Sequence, residues 1–256
     1  MTEEPAKAPV DVSGAIPFDL PRVTPRARER ALRIFESLRA RYPDARCELD
    51  YSTPHELLIA TILSAQSTDA GVNKTTPALF RAFPTPAHYA AAEPADVEAY
   101  IKTIGLFRNK ARAVVSAMRT ILDRFGGEVP RTMDGLLELR GVARKTANVV
   151  LGNAFGINVG VVVDTHVERL AKRFALVPQS ANVQAVERRL MALFAREHWW
   201  LVPHLFIFHG RRVCKARGGS CANDEICLEF CSNARMTLPP RTTRQTRPTR
   251  PTRPRG

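Results

Sequence analysis

The chain has 256 residues, 45% of them apolar and 25% charged, which is ordinary globular composition. It is long enough to bury a core without disulfide or metal staples, which excludes a collagen, a fully disordered chain and a mini-protein scaffold. Lys and Arg number 38 against 25 Asp and Glu, a formal charge of +13; the last 16 residues hold six Arg and no acid, so the other 240 still carry +7. That balance implies a partner with dense negative charge, nucleic acid above all. An anionic membrane surface is the rival, and no basic amphipathic helix supports it. The longest purely apolar run, Leu190 to Ala195, falls far short of the ~20 residues that span a bilayer. No positively charged start leads into an apolar stretch of secretory type, so the expectation is a monomer in a reducing cytoplasm, associated with the nucleoid.

In chain order, residues 1–23 are rich in Pro, Ala and small polar residues and read as a flexible arm. Thr24-Pro25 starts a helix as N-cap and first position, with Ala27, Ala31, Ile34, Phe35 and Leu38 on one face. Thr53-Pro54-His55-Glu56 starts the next as a capping box, and Leu57 to Ala65, with little polarity, predicts a helix buried all round. Pro77, Pro84, Pro86, Pro94 and Pro130 punctuate the middle at helix-plus-loop spacing. Gly126-Gly127 stops a helix running from about Asn109. Val159 to Val163 is β-branched, but without an alternating strand partner it reads as a connection. The fold class is all-α. Residues 236–256 form a Thr/Arg/Pro tail, either a solvated extension that aids solubility or a non-specific grip on phosphates.

The chemistry concentrates in Leu136-Leu-Glu-Leu-Arg-Gly-Val-Ala-Arg-Lys-Thr-Ala-Asn. This reads as helix end, tight turn and helix start, with Gly141 free to take the positive φ that reverses the chain. The unpaired N–H groups at the second helix start, with its dipole, make a ready phosphate site, to which Arg144 and Lys145 add charge. Four cysteines, Cys214, Cys221, Cys227 and Cys231, fall within 18 residues, whereas Cys47 stands alone. Such clustering favours a metal or iron–sulfur site over disulfides.

The hairpin Leu139 to Asn153, the Val163-Asp164-Thr165-His166 segment and the cysteine cluster together resemble endonuclease III. Leu63-Ser-Ala-Gln-Ser-Thr-Asp69, Tyr100-Ile-Lys-Thr-Ile-Gly-Leu106 and Phe208-His-Gly-Arg211 match further signatures, and the resemblance runs from about Pro25 to Cys231. It implies an iron–sulfur DNA glycosylase with abasic-site lyase activity, acting on double-stranded DNA that carries an oxidised pyrimidine or an abasic site. Lys145 aligns with the nucleophilic lysine: a neutral amine attacks C1′, expels the base and leaves a Schiff base, and β-elimination then cuts 3′ to the lesion. Cationic Arg144, the helix N-terminus and partial burial are each expected to lower the amine pKa from about 10.4. Asp164 aligns with the essential aspartate, which stabilises charge on the sugar and assists proton transfers. It also stands where a helix N-cap belongs, and both roles are compatible.

The target base must leave the duplex. The resemblance puts Gln66 in the vacated space and makes Leu106, among the basic residues that follow it (Arg108 and Lys110), an apolar wedge in the opposite strand. The remaining expected DNA contacts are Arg140, Gly141, Ala143, Arg144 and Thr146 of the hairpin, His166 beside the aspartate, and Arg211, Lys215 and Arg217 around the cysteines. The expected cofactor is a [4Fe–4S] cluster on Cys214, Cys221, Cys227 and Cys231, with structural zinc as rival. Three departures from the family pattern stand out. Asp224 and Phe230 occupy its third and fourth cysteine positions, so the ligands have slid. Arg140 and Ala143 replace a proline and a second glycine in the hairpin. One extra residue separates Lys145 from Asp164. The expected domains are a helical barrel over 48–155 and a second domain built from 24–47 and 156–235, with DNA across the cleft. A monofunctional relative such as the mismatch adenine glycosylase, or a catalytically weak DNA-binding module, is the alternative.

Overall fold

The structure is a computed structural model that describes residues 16, 18–217 and 219–232. The expectations for the first part of the arm and for the 236–256 tail lie outside the described residues. All regular secondary structure among the described residues is helical, and no helix there is long and apolar enough to cross a membrane.

Local chemistry accounts for most helix ends. Thr24 caps α1 (Pro25–Arg41) by accepting from the Ala27 amide. Thr53 and Glu56 close a complete capping box on α2 (Pro54–Ser64), in which every residue from Leu57 to Leu63 is buried. The chain continues through α3 (Asp69–Ala82), α4 (Pro86–Ala91), α5 (Pro94–Ile101) and α6 (Phe107–Phe125). The last begins two residues before Asn109 and ends at Gly126, which takes φ +61° and donates its N–H to the Ile121 carbonyl. Pro77 does not interrupt a helix as its spacing suggests: α3 runs through it. Burial of Val72, Thr75, Thr76 and Leu79 on the same helix outweighs the roughly 3 kcal/mol that an interior proline costs. The hairpin helices α7 (Met133–Leu137) and α8 (Arg144–Phe155) follow, then α9 (Thr165–Arg173), α10 (Val183–Leu193), α11 (Leu201–Arg212) and α12 (Glu225–Phe230). The Val159–Val163 segment is a connection, as its lack of a partner strand suggests.

Two hydrophobic cores result. One gathers residues from Leu49 to Val159 around the buried α2. The other joins α1 to α9, α10, α11 and α12, with Phe35, Phe174, Phe194 and Phe206 at its centre. The arm expected to be flexible is in part packed down: Ile16, Phe18, Leu20 and Val23 lie against the second core. The Phe18 ring stacks under the guanidinium groups of Arg144 and Arg188, 5.0 and 4.5 Å from its centroid.

Candidate active site

The hairpin follows from its sequence. Leu136 and Leu139 anchor its first half in the core. Gly141 then turns the chain at φ +84°, and its missing Cβ matters twice, since one built there would stand 2.9 Å from the Ala113 Cβ. Ala143 is the N-cap of α8, in extended conformation and without a side-chain cap, so the first amides of α8 are left for another acceptor. Arg140, Gly141, Ala143 and Lys145 are exposed and Thr146 is half-buried.

Lys145 stands at the second position of α8, beside the positive end of the helix dipole. The partial burial expected of it is absent: Lys145 is exposed. Arg144 turns away, because Glu187 accepts from its Nε at 3.2 Å and the Val159 carbonyl from its Nη2 at 3.3 Å.

Lys145, Asp164, Gln66, Thr146 and Arg211 line one pocket of about 310 Å³ between the two cores. Asp164 is the N-cap of α9: its Oδ1 accepts from the His166 amide at 2.9 Å and the Val167 amide at 2.8 Å. Both bonds fall on one oxygen, so Oδ2 takes no part in the cap. His166 lies outside the pocket lining; its Nδ1 faces the Arg169 guanidinium at 3.2 Å. Deeper in the pocket, His204 Nε2 meets Asn153 Oδ1 at 2.9 Å. Burial pulls the His204 pKa down to about 4, against the opposing fields of Asp164 and Asp69. Arg211, expected on DNA, pairs with Glu48 and with Asp69, the latter at 2.8 Å. Lys215 and Arg217 are exposed.

Gln66 and Leu106 share an unusual backbone. Three non-glycine residues among those described have positive φ, and these are two of them, at +55° and +60°; Ala175 is the third. Left-handed geometry costs a non-glycine residue on the order of 1–2 kcal/mol, and strain of this kind gathers at working sites. Both side chains are exposed, Leu106 to 57%. The two turns touch: a Cβ on Gly105 would lie 4.0 Å from the Gln66 carbonyl. Lys110, grouped by its place in the sequence with the exposed basic residues around the wedge, turns inward and is 5% exposed.

The slid cysteines still converge. The sulfur atoms of Cys214, Cys221, Cys227 and Cys231 all lie within 4.8 Å of one another. Hydrogen bonds from Cys227 and Cys231, with a contribution from Arg173, hold the Cys214 thiol down at about 4 despite its burial. Arg173 Nη1 donates to Cys214 Sγ at 3.2 Å. A thiolate beside a guanidinium, with three more sulfurs around it, suits an all-sulfur metal site. The two residues at the displaced cysteine positions have structural employment. Asp224 caps α12 at the Cys227 amide, 2.9 Å, and pairs with Arg41. Phe230 is buried under Arg30 and Arg33. Sequence reading missed Lys110, His204, Asn153 and Arg173. Lys110 alone had a visible signal, since it shares a helical face with Val114, Ala117 and Ile121.

Fold and site together define a helix–hairpin–helix protein, and residues 59–196 match the family model described as "HhH-GPD superfamily base excision DNA repair protein". Endonuclease III of Synechocystis sp. is 47% identical over 208 residues, covering 81% of this chain and 94% of that protein. Endonuclease III of Escherichia coli K12 is 41% identical over 203 residues, covering 78% and 95%. A structure of a trapped endonuclease III–DNA covalent intermediate superposes with a TM-score of 0.77 at 41% identity, over 84% of this chain and 99% of that one. A thermostable thymine-DNA glycosylase at 20% identity shares the fold, with a TM-score of 0.71. The chain belongs to the endonuclease III family.

Proposed function

We propose that this protein is a bifunctional DNA glycosylase and abasic-site lyase of base excision repair, acting on oxidised pyrimidines in double-stranded DNA. One observation carries the reading: an exposed lysine at a helix start and a capping aspartate, Lys145 and Asp164, line the same pocket as Gln66. Phosphate oxygens on either side of the lesion take the free amides of the Gly141–Ala143 turn and the α8 start. Gln66 fills the space left by the extruded nucleotide and Leu106 wedges the opposite strand. The Lys145 amine attacks C1′, the C1′–N bond breaks and the electron pair leaves with the base. Asp164 Oδ2, free of the capping bonds on Oδ1, faces the positive charge that develops on the sugar. The nitrogen then loses its proton and the C1′–O4′ bond breaks, which opens the sugar ring to an imine; the imine acidifies the C2′ proton, a base removes it, and the C3′–O bond breaks with the 3′ phosphate as leaving group.

The four thiolates of Cys214, Cys221, Cys227 and Cys231 suit a [4Fe–4S] cluster, and structural zinc is the second reading, favoured by the tight convergence of the sulfurs. Either would cross-link the segment after α11 to α12, and no step above uses it. Iron, sulfide and zinc analysis of the purified protein decides between them.

Product analysis on a thymine glycol duplex tests the reaction itself. The expected products are free base and a strand cut 3′ to the lesion with an unsaturated aldehyde end. An intact strand that breaks only under alkali would instead make the protein monofunctional.

A further inference from the structure

Among the described residues, Lys110 is the one buried lysine, and it has no carboxylate partner. It lies in the first turn of α6, and its backbone N–H donates to the Leu106 carbonyl at 3.1 Å. Its side chain crosses to the other turn: Nζ donates to the Leu63 carbonyl at 2.9 Å and to Ser67 Oγ at 3.0 Å. These acceptors flank Gln66. Leu63 O is one of the last carbonyls of α2, which have no helical partner of their own and carry the negative end of the dipole. A single residue, through its ammonium on one side and its backbone N–H on the other, thus ties the exit of α2 and the Gln66 turn to the Leu106 turn. The two turns it ties hold two of the three described non-glycine residues at positive φ. Such a backbone persists only when its surroundings over-determine it.

We propose that Lys110 is a positioning residue that locks the Gln66 and Leu106 turns into one rigid unit, so that both strands of the duplex are opened by a single body. The inference rests on the reading of Gln66 and Leu106 as inserted residues. With the clamp released, each turn relaxes towards ordinary backbone angles and the two side chains no longer enter the duplex together. Steps that need no strand separation are then unaffected.

The test compares wild type with Lys110→Met, Ser67→Ala, Leu106→Ala and the Lys110→Met/Leu106→Ala double variant. Single-turnover excision is measured on a thymine glycol duplex, and lyase cleavage on an abasic single strand, which has no partner strand to displace. Fluorescence of 2-aminopurine placed opposite the lesion reports insertion directly. Lys110→Met is expected to slow duplex excision by about tenfold or more, to abolish the 2-aminopurine rise, and to leave single-strand cleavage within about twofold of wild type. Ser67→Ala removes one acceptor at no cost to the core, and is expected to shift the same two duplex readouts by about two- to fivefold. The double variant is expected to be no slower than Leu106→Ala by more than about twofold, because both changes disable one unit. Equal slowing on both substrates, no slowing on either, or multiplying losses in the double variant would overturn the proposal. If Lys110→Met does not fold, an unchanged 2-aminopurine signal in Ser67→Ala overturns it alone. A wild type inert on both substrates removes the functional reading and this proposal together; an active wild type with unaffected variants removes only the proposal.

Discussion

Arg211 on α11 reaches across the pocket to Asp69 at the start of α3, Nη2 to Oδ2 at 2.8 Å, and so ties one hydrophobic core to the other. Burial penalises the Arg211 charge, but the bond to Asp69 and the nearby Glu48 carboxylate more than offset it, and the net effect raises its pKa. The Arg211 side chain is still 39% exposed, so solvent screens the pair. Arg211→Met is expected to cost no more than about 1 kcal/mol, and less at high salt. Urea denaturation at two ionic strengths checks this. A salt-independent loss of several kcal/mol would mean that Arg211 supports packing instead.

Substitution separates the N-cap role of Asp164 from the role proposed for it in base excision. Asn is as good an N-cap as Asp, so Asp164→Asn is expected to change stability by less than about 0.5 kcal/mol while slowing base excision by about a hundredfold. Asp164→Ala adds the loss of the cap, about 1 kcal/mol. Thermal melts and single-turnover kinetics on the same preparations read both effects. A hundredfold loss matched by an equally unstable Asn variant would reduce Asp164 to a cap.

Ala143 poses the opposite problem, a helix start with no cap. Ala143→Ser is expected to raise stability by about 1 kcal/mol, since the hydroxyl accepts from the free amides of α8. The same bond competes with a phosphate for those amides, so affinity for a duplex bearing an abasic analogue is expected to fall. Fluorescence anisotropy against salt measures it. Tighter binding in Ala143→Ser would show that the amides are not the phosphate ligands.

Local chemistry was legible in the sequence because its partners stand within five residues. The caps at Thr24, Thr53 and Asp164 and the stop at Gly126 could be read directly. The largely apolar stretch of α2 announced a helix at the centre of a core. Long-range polar pairing was not legible. Arg144, Lys110 and Arg211 each looked like a free cation, yet each meets partners more than 40 residues away, at Glu187, Leu63 and Asp69. Which cations turn inward depends on how helices pack, and one-dimensional spacing does not encode it. Pro77 shows the same limit for backbone: tertiary burial overrode a local break.

His204 gives a pH signature. Its folded pKa of about 4 lies below the 6.5 of an exposed histidine because it is buried. Below pH 6.5 the unfolded chain takes up a proton that the folded chain refuses until about pH 4. Stability is therefore full above 6.5 and is lost as pH falls through this window, by up to about 3 kcal/mol from this group. His204→Asn is expected to flatten the pH dependence of the urea midpoint between pH 7 and 4. An unchanged slope would place the titration elsewhere.

Sodium borohydride trapping bears most directly on Lys145. Wild type and Lys145→Gln are incubated with a thymine glycol duplex and with an abasic duplex. A covalent protein–DNA adduct is expected on both substrates with wild type and on neither with the variant. An adduct on the abasic duplex alone would mean a lyase whose pocket reads another base. An adduct that survives in Lys145→Gln, or none from folded, metal-replete wild type that still binds DNA, would contradict the imine mechanism at Lys145.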